Sequence, residues 1–145
     1  MKDYLKYFLI SVLAWIVVEQ TTAFYFDLER WVSYMPDIWA FYLGFPLLLT
    51  VLIYRLKFTG ARLFSAVVLQ LIVVEILFTG NAMLFTFPML LLAIPIGLVI
   101  YSIITYVPLW IVENSLKEHK RAMALFLVVW LFVFIVGTIN HLKGG

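Results

Sequence analysis

The chain has 145 residues, 66% of them hydrophobic and 12% charged, with a mean hydropathy of +1.09 and a formal net charge of +2. Soluble domains carry roughly 45–50% apolar and about 25% charged residues, so a water-facing globule of this size is excluded. The absence of cysteine rules out disulfides, thiolate metal sites and cysteine nucleophiles, and the small net charge gives no argument for nucleic acid. The composition predicts an all-α, polytopic membrane helix bundle, a single transmembrane domain over 1–145 with the lipid bilayer as its main partner.

The first apolar segment covers 5–26, long enough to span a hydrocarbon core of about 30 Å at 1.5 Å per residue. No small-x-small cleavage site follows it, so it is expected to be retained. Its second half is polar for a spanning helix, with Glu19, Gln20, Thr21 and Thr22. Residues 27–36 read as a polar and aromatic link in which Asp27 and Arg30 are spaced to pair. A second span is expected over 37–57, capped by Asp37 and kinked at Pro46. Thr59-Gly60 marks a turn, and a third span, 61–79, closes at Gly80-Asn81.

Apolar character then runs from Ala82 to Val112, too long for one crossing, with Pro88, Pro95 and Pro108 as punctuation. Placing Pro88 in a first turn gives a span over 88–112 bent at Pro95, with 80–87 as an interfacial or re-entrant link. Ser115 and Glu118 have capping-box spacing and would open a fifth span over 122–140.

Five spans with the N-terminus inside and the C-terminus outside place Lys2, Lys6, Arg55, Lys57, Arg62, Lys117, Lys120 and Arg121 on the inner side, leaving only Arg30 and Lys143 outside. That asymmetry satisfies the positive-inside rule. Tyr25, Trp31, Tyr34, Trp39 and Tyr42 would form the outer aromatic belt; Tyr4, Tyr7, Tyr54, Tyr106 and Trp110 would form the inner one. The expected location is the plasma (inner) membrane of a prokaryote.

Two short strings recur in the same order. Ile16-Val17-Val18-Glu19 returns as Ile72-Val73-Val74-Glu75, and Phe45-Pro46-Leu47-Leu48-Leu49 has a partner in Phe87-Pro88-Met89-Leu90-Leu91. A duplicated two-helix unit would make this a parallel repeat. Chance matching between leucine- and valine-rich segments is the simpler explanation.

Glu19 and Glu75 are the acids placed deep inside apolar runs. An ionised carboxylate at mid-membrane costs about 2.5–3.5 kcal/mol on insertion scales, so each is expected to need a partner or a proton. No lysine or arginine falls at their depth, which leaves Gln20, Thr22, Gln70 and Tyr101 as candidate hydrogen-bonding partners. Helical spacing puts Ser11, Trp15, Glu19, Thr22 and Phe26 on one face, and turns Gln70 away from Glu75. The bland reading is a protonated acid that ties two helices together; the functional one is proton or substrate binding.

No cluster with metal-ligand spacing, no nucleophile motif and no phosphate loop is present, and no cofactor is expected. The first functional expectation is a small transport or channel-like protein, or a transporter subunit, handling a proton or a lipophilic small molecule. The alternatives are a non-catalytic subunit in a homo-oligomer or larger membrane complex, and an intramembrane enzyme using a protonated Glu as general acid on a polyisoprenoid or other lipid.

Overall fold

The computed structural model describes residues 1–78, 86–88 and 90–144. Among these residues the chain is all helical, with no strand. Helix α1 covers Asp3–Glu19 and widens into a π turn at Gln20–Phe24; α2 covers Leu28–Thr50 and its π continuation Val51–Arg55. Helix α3 covers Gly60–Ile72 and continues as π over Val73–Phe78. Helix α4 covers Leu90–Val112, and α5 covers Lys120–Leu142 after a 3₁₀ turn at Leu116–His119. Among the described residues four stretches are long and apolar enough to cross a membrane: Asp3–Thr22, Leu28–Arg55, Leu90–Val112 and Leu116–Leu142.

Helix α1 packs against both α2 and α4, α3 packs against α4, and α5 lies on α4 and on the π turn that ends α1. The start of α1 meets the end of α2 through the Tyr7 and Tyr54 rings, 5.8 Å apart, and Leu63 at the start of α3 shares a cluster with Leu109 and Val112 at the end of α4. The π turn that ends α1 meets α5 at its middle, where the Trp130 indole donates to Thr21 Oγ1 at 2.7 Å, and Tyr25 beyond it meets Gly137 and His141 near the end of α5. The helices therefore alternate in direction, α1, α3 and α5 one way and α2 and α4 the other. Trp15 is the hub of the core: its ring stacks on Phe45 at 5.7 Å, meets the Tyr101 ring edge-on at 5.9 Å and lies 6.3 Å from Tyr42. Such pairs contribute about 0.5–1.5 kcal/mol each beyond their buried area.

Several boundaries differ from the sequence reading. Residues 27–36 are not a link. Asp27, not Asp37, caps α2, its carboxylate accepting from the Arg30 backbone N–H at 3.2 Å, while the Arg30 guanidinium turns back to the Ala23 carbonyl. Pro36 and Asp37 lie inside the helix. Pro36 is tolerated there because it and Val32, whose carbonyl it leaves without a helical partner, both face outward.

The first helix does not carry its face through to Phe26. The π turn shifts the register, Tyr25 and Phe26 then take left-handed backbone angles (φ 50° and 64°), and Phe26 ends up exposed. Ser115 and Glu118 form no capping box. The Glu118 N–H bonds the Ser115 carbonyl in the 3₁₀ turn, and Ser115 Oγ is buried without a partner.

Three residues assigned to interface belts are core residues instead. Tyr7 and Tyr42 are buried, and Trp110 is buried between His119 (4.3 Å, 9° between planes) and Phe126. Of the two Phe-Pro strings, Pro46 lies within α2 whereas Pro88 precedes α4, so they occupy unlike positions. The expected stop at Gly80-Asn81, and the expected link over 80–87 apart from residues 86 and 87, fall outside the described residues.

Candidate functional site

Between α1, α3, α4 and α5 lies a partly open cavity of about 580 Å³. Glu19 and Glu75 both line it. The Ile-Val-Val-Glu strings set this up: each delivers its acid to the cavity where the α-helix gives way to a π turn, before Gln20 in α1 and after Ile72 in α3. A π turn adds one residue to the hydrogen-bonded ring and rotates the side chains beyond it, and such turns concentrate at functional positions.

Apart from Thr22, the rest of the described lining is apolar or aromatic. Trp15, Val18, Leu71 and Val74 form its lower walls, Ile96, Gly97, Ile100 and Tyr101 the α4 side, and Phe132, Val133 and Val136 the α5 side. No lysine, arginine or histidine is among the described lining residues. Glu75 is held by the Tyr101 hydroxyl, which donates to Oε1 at 2.9 Å. Glu19 has no hydrogen-bond partner among the described residues, and it lies close enough to Glu75 for the two charges to repel.

Two glycines give the cavity its shape. A Cβ at Gly97 would come within 2.7 Å of Leu71 Cδ1, so its absence lets α3 approach α4. A Cβ at Gly137 would overlap the Tyr25 hydroxyl. Tyr25 lies across α5 at this point, donating to the Thr22 carbonyl at 2.8 Å and stacking on His141 at 5.5 Å, and so closes one end of the cavity.

The structure separates the six residues singled out from sequence. Glu19, Glu75, Thr22 and Tyr101 line the cavity together. Thr22 Oγ1 spends its proton on the Val18 carbonyl at 2.7 Å, so it offers the cavity an acceptor. Gln70 does not meet Glu75. It lies fully buried below the cavity, donating to Thr105 Oγ1 at 3.0 Å and to the Ala66 carbonyl at 3.3 Å. Gln20 is buried outside the cavity with neither side-chain polar atom in a hydrogen bond.

Sequence reasoning missed Tyr25, Gly97 and Gly137. Glycine in an apolar helix does signal close approach, but nothing in the sequence names the partner. Among the described residues no group of three His, Asp or Glu side chains gathers as a metal site would require. No family model, curated protein or solved structure matches the chain.

Proposed function

We propose that the protein is a small membrane carrier which takes a lipophilic molecule into this cavity and uses Glu19 and Glu75 to bind protons or the molecule's polar head. The observation that carries the reading is that both carboxyls enter one apolar, partly open cavity without a basic side chain beside them. A structural acid buried as helix glue would fill its hydrogen-bonding capacity from neighbouring helices. Glu19 does not. Charge brought by a ligand or removed by a proton changes the repulsion between the two acids, and through their helices the packing of α1 and α3 on α4.

The reading includes five crossings with the N-terminus inside, in the inner membrane of a prokaryote. Its support is the segregation of charge. The basic residues Lys2, Lys6, Lys57, Arg62, Lys117, Lys120 and Arg121 lie at the end of the bundle where α1 and α3 begin and α4 ends. In this reading helix α3 supplies the remaining crossing: its buried face carries Leu63, Ala66, Val67, Gln70 and Leu71, while Phe64, Leu69, Ile72 and Ile76 are exposed as for lipid contact.

Solid-supported membrane recordings on proteoliposomes, with pH jumps and a panel of lipophilic amines and acids, test the carrier reading. Ligand-evoked transients are expected from the native protein and are expected to vanish in Glu19→Gln and Glu75→Gln. Native transients that persist unchanged in both variants would refute it. A second reading, a subunit of a larger complex, draws on α5, where Phe126 is the single buried residue. A partner that co-purifies in mild detergent would favour that alternative.

A further inference from the structure

Directly below the cavity, polar side chains form a layer that the carrier reading leaves unused. Tyr7, Ser11 and Trp15 occupy one face of α1 at four-residue spacing, on the side packed against α4 with Tyr101 and Thr105, and Gln70 reaches Thr105 from α3. The Tyr7 hydroxyl donates to the Thr105 carbonyl at 3.0 Å, the Gln70 amide donates to Thr105 Oγ1, and Thr105 Oγ1 donates to the Tyr101 carbonyl at 3.0 Å. Above them the Tyr101 hydroxyl reaches Glu75.

Four polar atoms in and beside this layer are buried with no hydrogen-bond partner of good geometry among the described residues: Ser11 Oγ, Trp15 Nε1, Gln70 Oε1 and the Tyr54 hydroxyl. Ser11 Oγ lies beside the Tyr7 hydroxyl, whose proton goes to the Thr105 carbonyl, and Ser11, Trp15 and Gln70 are at most 1% exposed. Each unsatisfied buried group costs about 1–3 kcal/mol, and folded proteins meet such groups with internal water that makes about three hydrogen bonds. An acceptor on Gln70, a donor on Trp15 and a hydroxyl on Ser11 give the layer the mix of donors and acceptors that bound water requires. At the far end Tyr54 packs on Tyr7 and is near enough to Asp3 and Glu113 to feel their charges.

We infer that this layer is hydrated and forms a proton path from the Asp3–Glu113 end of the bundle to the cavity carboxyls. The relay balances at every step. A proton arrives at one oxygen as another leaves it, so the waters and the hydroxyls of Tyr54, Tyr7, Ser11 and Tyr101 keep their composition, and the last proton rests on a carboxylate oxygen of Glu75. Trp15 Nε1 and Gln70 Oε1 hold water in place and pass nothing on. The path rests on the reading that Glu19 and Glu75 exchange protons, and it adds the side from which the protons come.

The test is infrared spectroscopy of the full chain in lipid nanodiscs. It is run at a pH acidic enough for the carboxyl C=O bands lost in Glu19→Gln and Glu75→Gln to be present in the native protein. On transfer from H₂O to D₂O those bands shift as the carboxyls exchange. Gln70→Leu and, separately, Ser11→Val are expected to slow the shift about tenfold or more, an added opening barrier of about 1.4 kcal/mol. Ser65→Ala, an exposed hydroxyl elsewhere on α3, is expected to leave the rate unchanged. Ser11→Ala, which keeps the volume but not the hydroxyl, serves if a larger replacement fails to fold. Exchange at the native rate in every folded variant would overturn the path, since protons would then enter through the cavity mouth. That result leaves the carrier standing, whereas recordings insensitive to both Glu→Gln variants remove the carrier and leave the path to be judged on exchange alone.

Discussion

At Gly137 a single hydrogen in place of a side chain decides where Tyr25 can lie. Tyr25 comes after a π turn in a left-handed conformation, and its ring fits between Gly137, the Thr22 carbonyl and His141. Gly137→Ala forces ring and helix apart and is expected to destabilise the protein by about 1–3 kcal/mol, the usual cost of overpacking. Gly97→Ala meets only the flexible end of Leu71 and is expected to cost less. Thermal unfolding in one detergent compares them, and Tyr25→Ala is expected to rescue Gly137→Ala but not Gly97→Ala. Equal losses, or no rescue, would contradict this account of Tyr25. The acids themselves were legible from sequence because charge in an apolar run is conspicuous. Their meeting in one cavity was not, since it depends on how α1 and α3 are rotated about their axes, and the π turns that set the rotation leave no sequence mark.

At the scale of elements, α1, α3, α4 and α5 were legible to within a few residues at their described ends, because apolar length is a direct signal. The start of α2 was misplaced by nine residues. Proline at position 36 reads as a boundary when helices are assumed to be buried all round, but on an exposed face the lost hydrogen bond costs little. If Asp27 starts α2, then Asp27→Ala removes the cap and is expected to destabilise the helix end by about 1 kcal/mol. Hydrogen exchange should then quicken at the amides of Arg30 and Trp31, with Asp37→Ala leaving them unchanged. Protection lost through Asp37→Ala instead would restore the shorter helix. The capping box at Ser115 failed for a related reason: its letters specify a cap only where the chain enters an α-helix, and here it enters a 3₁₀ turn.

For the whole molecule, alternating helix directions gather Lys2, Lys57 and Lys117 at one end and Arg30 and Lys143 at the other. Because the chain has no cysteine, single replacements report sidedness without background. Lys2→Cys, Lys57→Cys and Lys117→Cys are expected to react with an impermeant maleimide from the cytoplasmic side, and Arg30→Cys and Lys143→Cys from the opposite side. Labelling of Lys57→Cys and Lys117→Cys from opposite sides would remove the α3 crossing and refute the proposed five-crossing topology.

The same freedom from cysteine allows the shared cavity to be tested directly. In a Glu19→Cys, Glu75→Cys double variant reconstituted in lipid, a short bifunctional thiol reagent should link α1 to α3 within one chain, seen by mass spectrometry as a cross-linked peptide pair. Glu19→Cys with Val128→Cys, on the outer face of α5, should give no link. Absence of the 19–75 link in folded protein whose thiols both react singly would contradict the account, because two acids on separate surfaces cannot bind one ligand or share one proton.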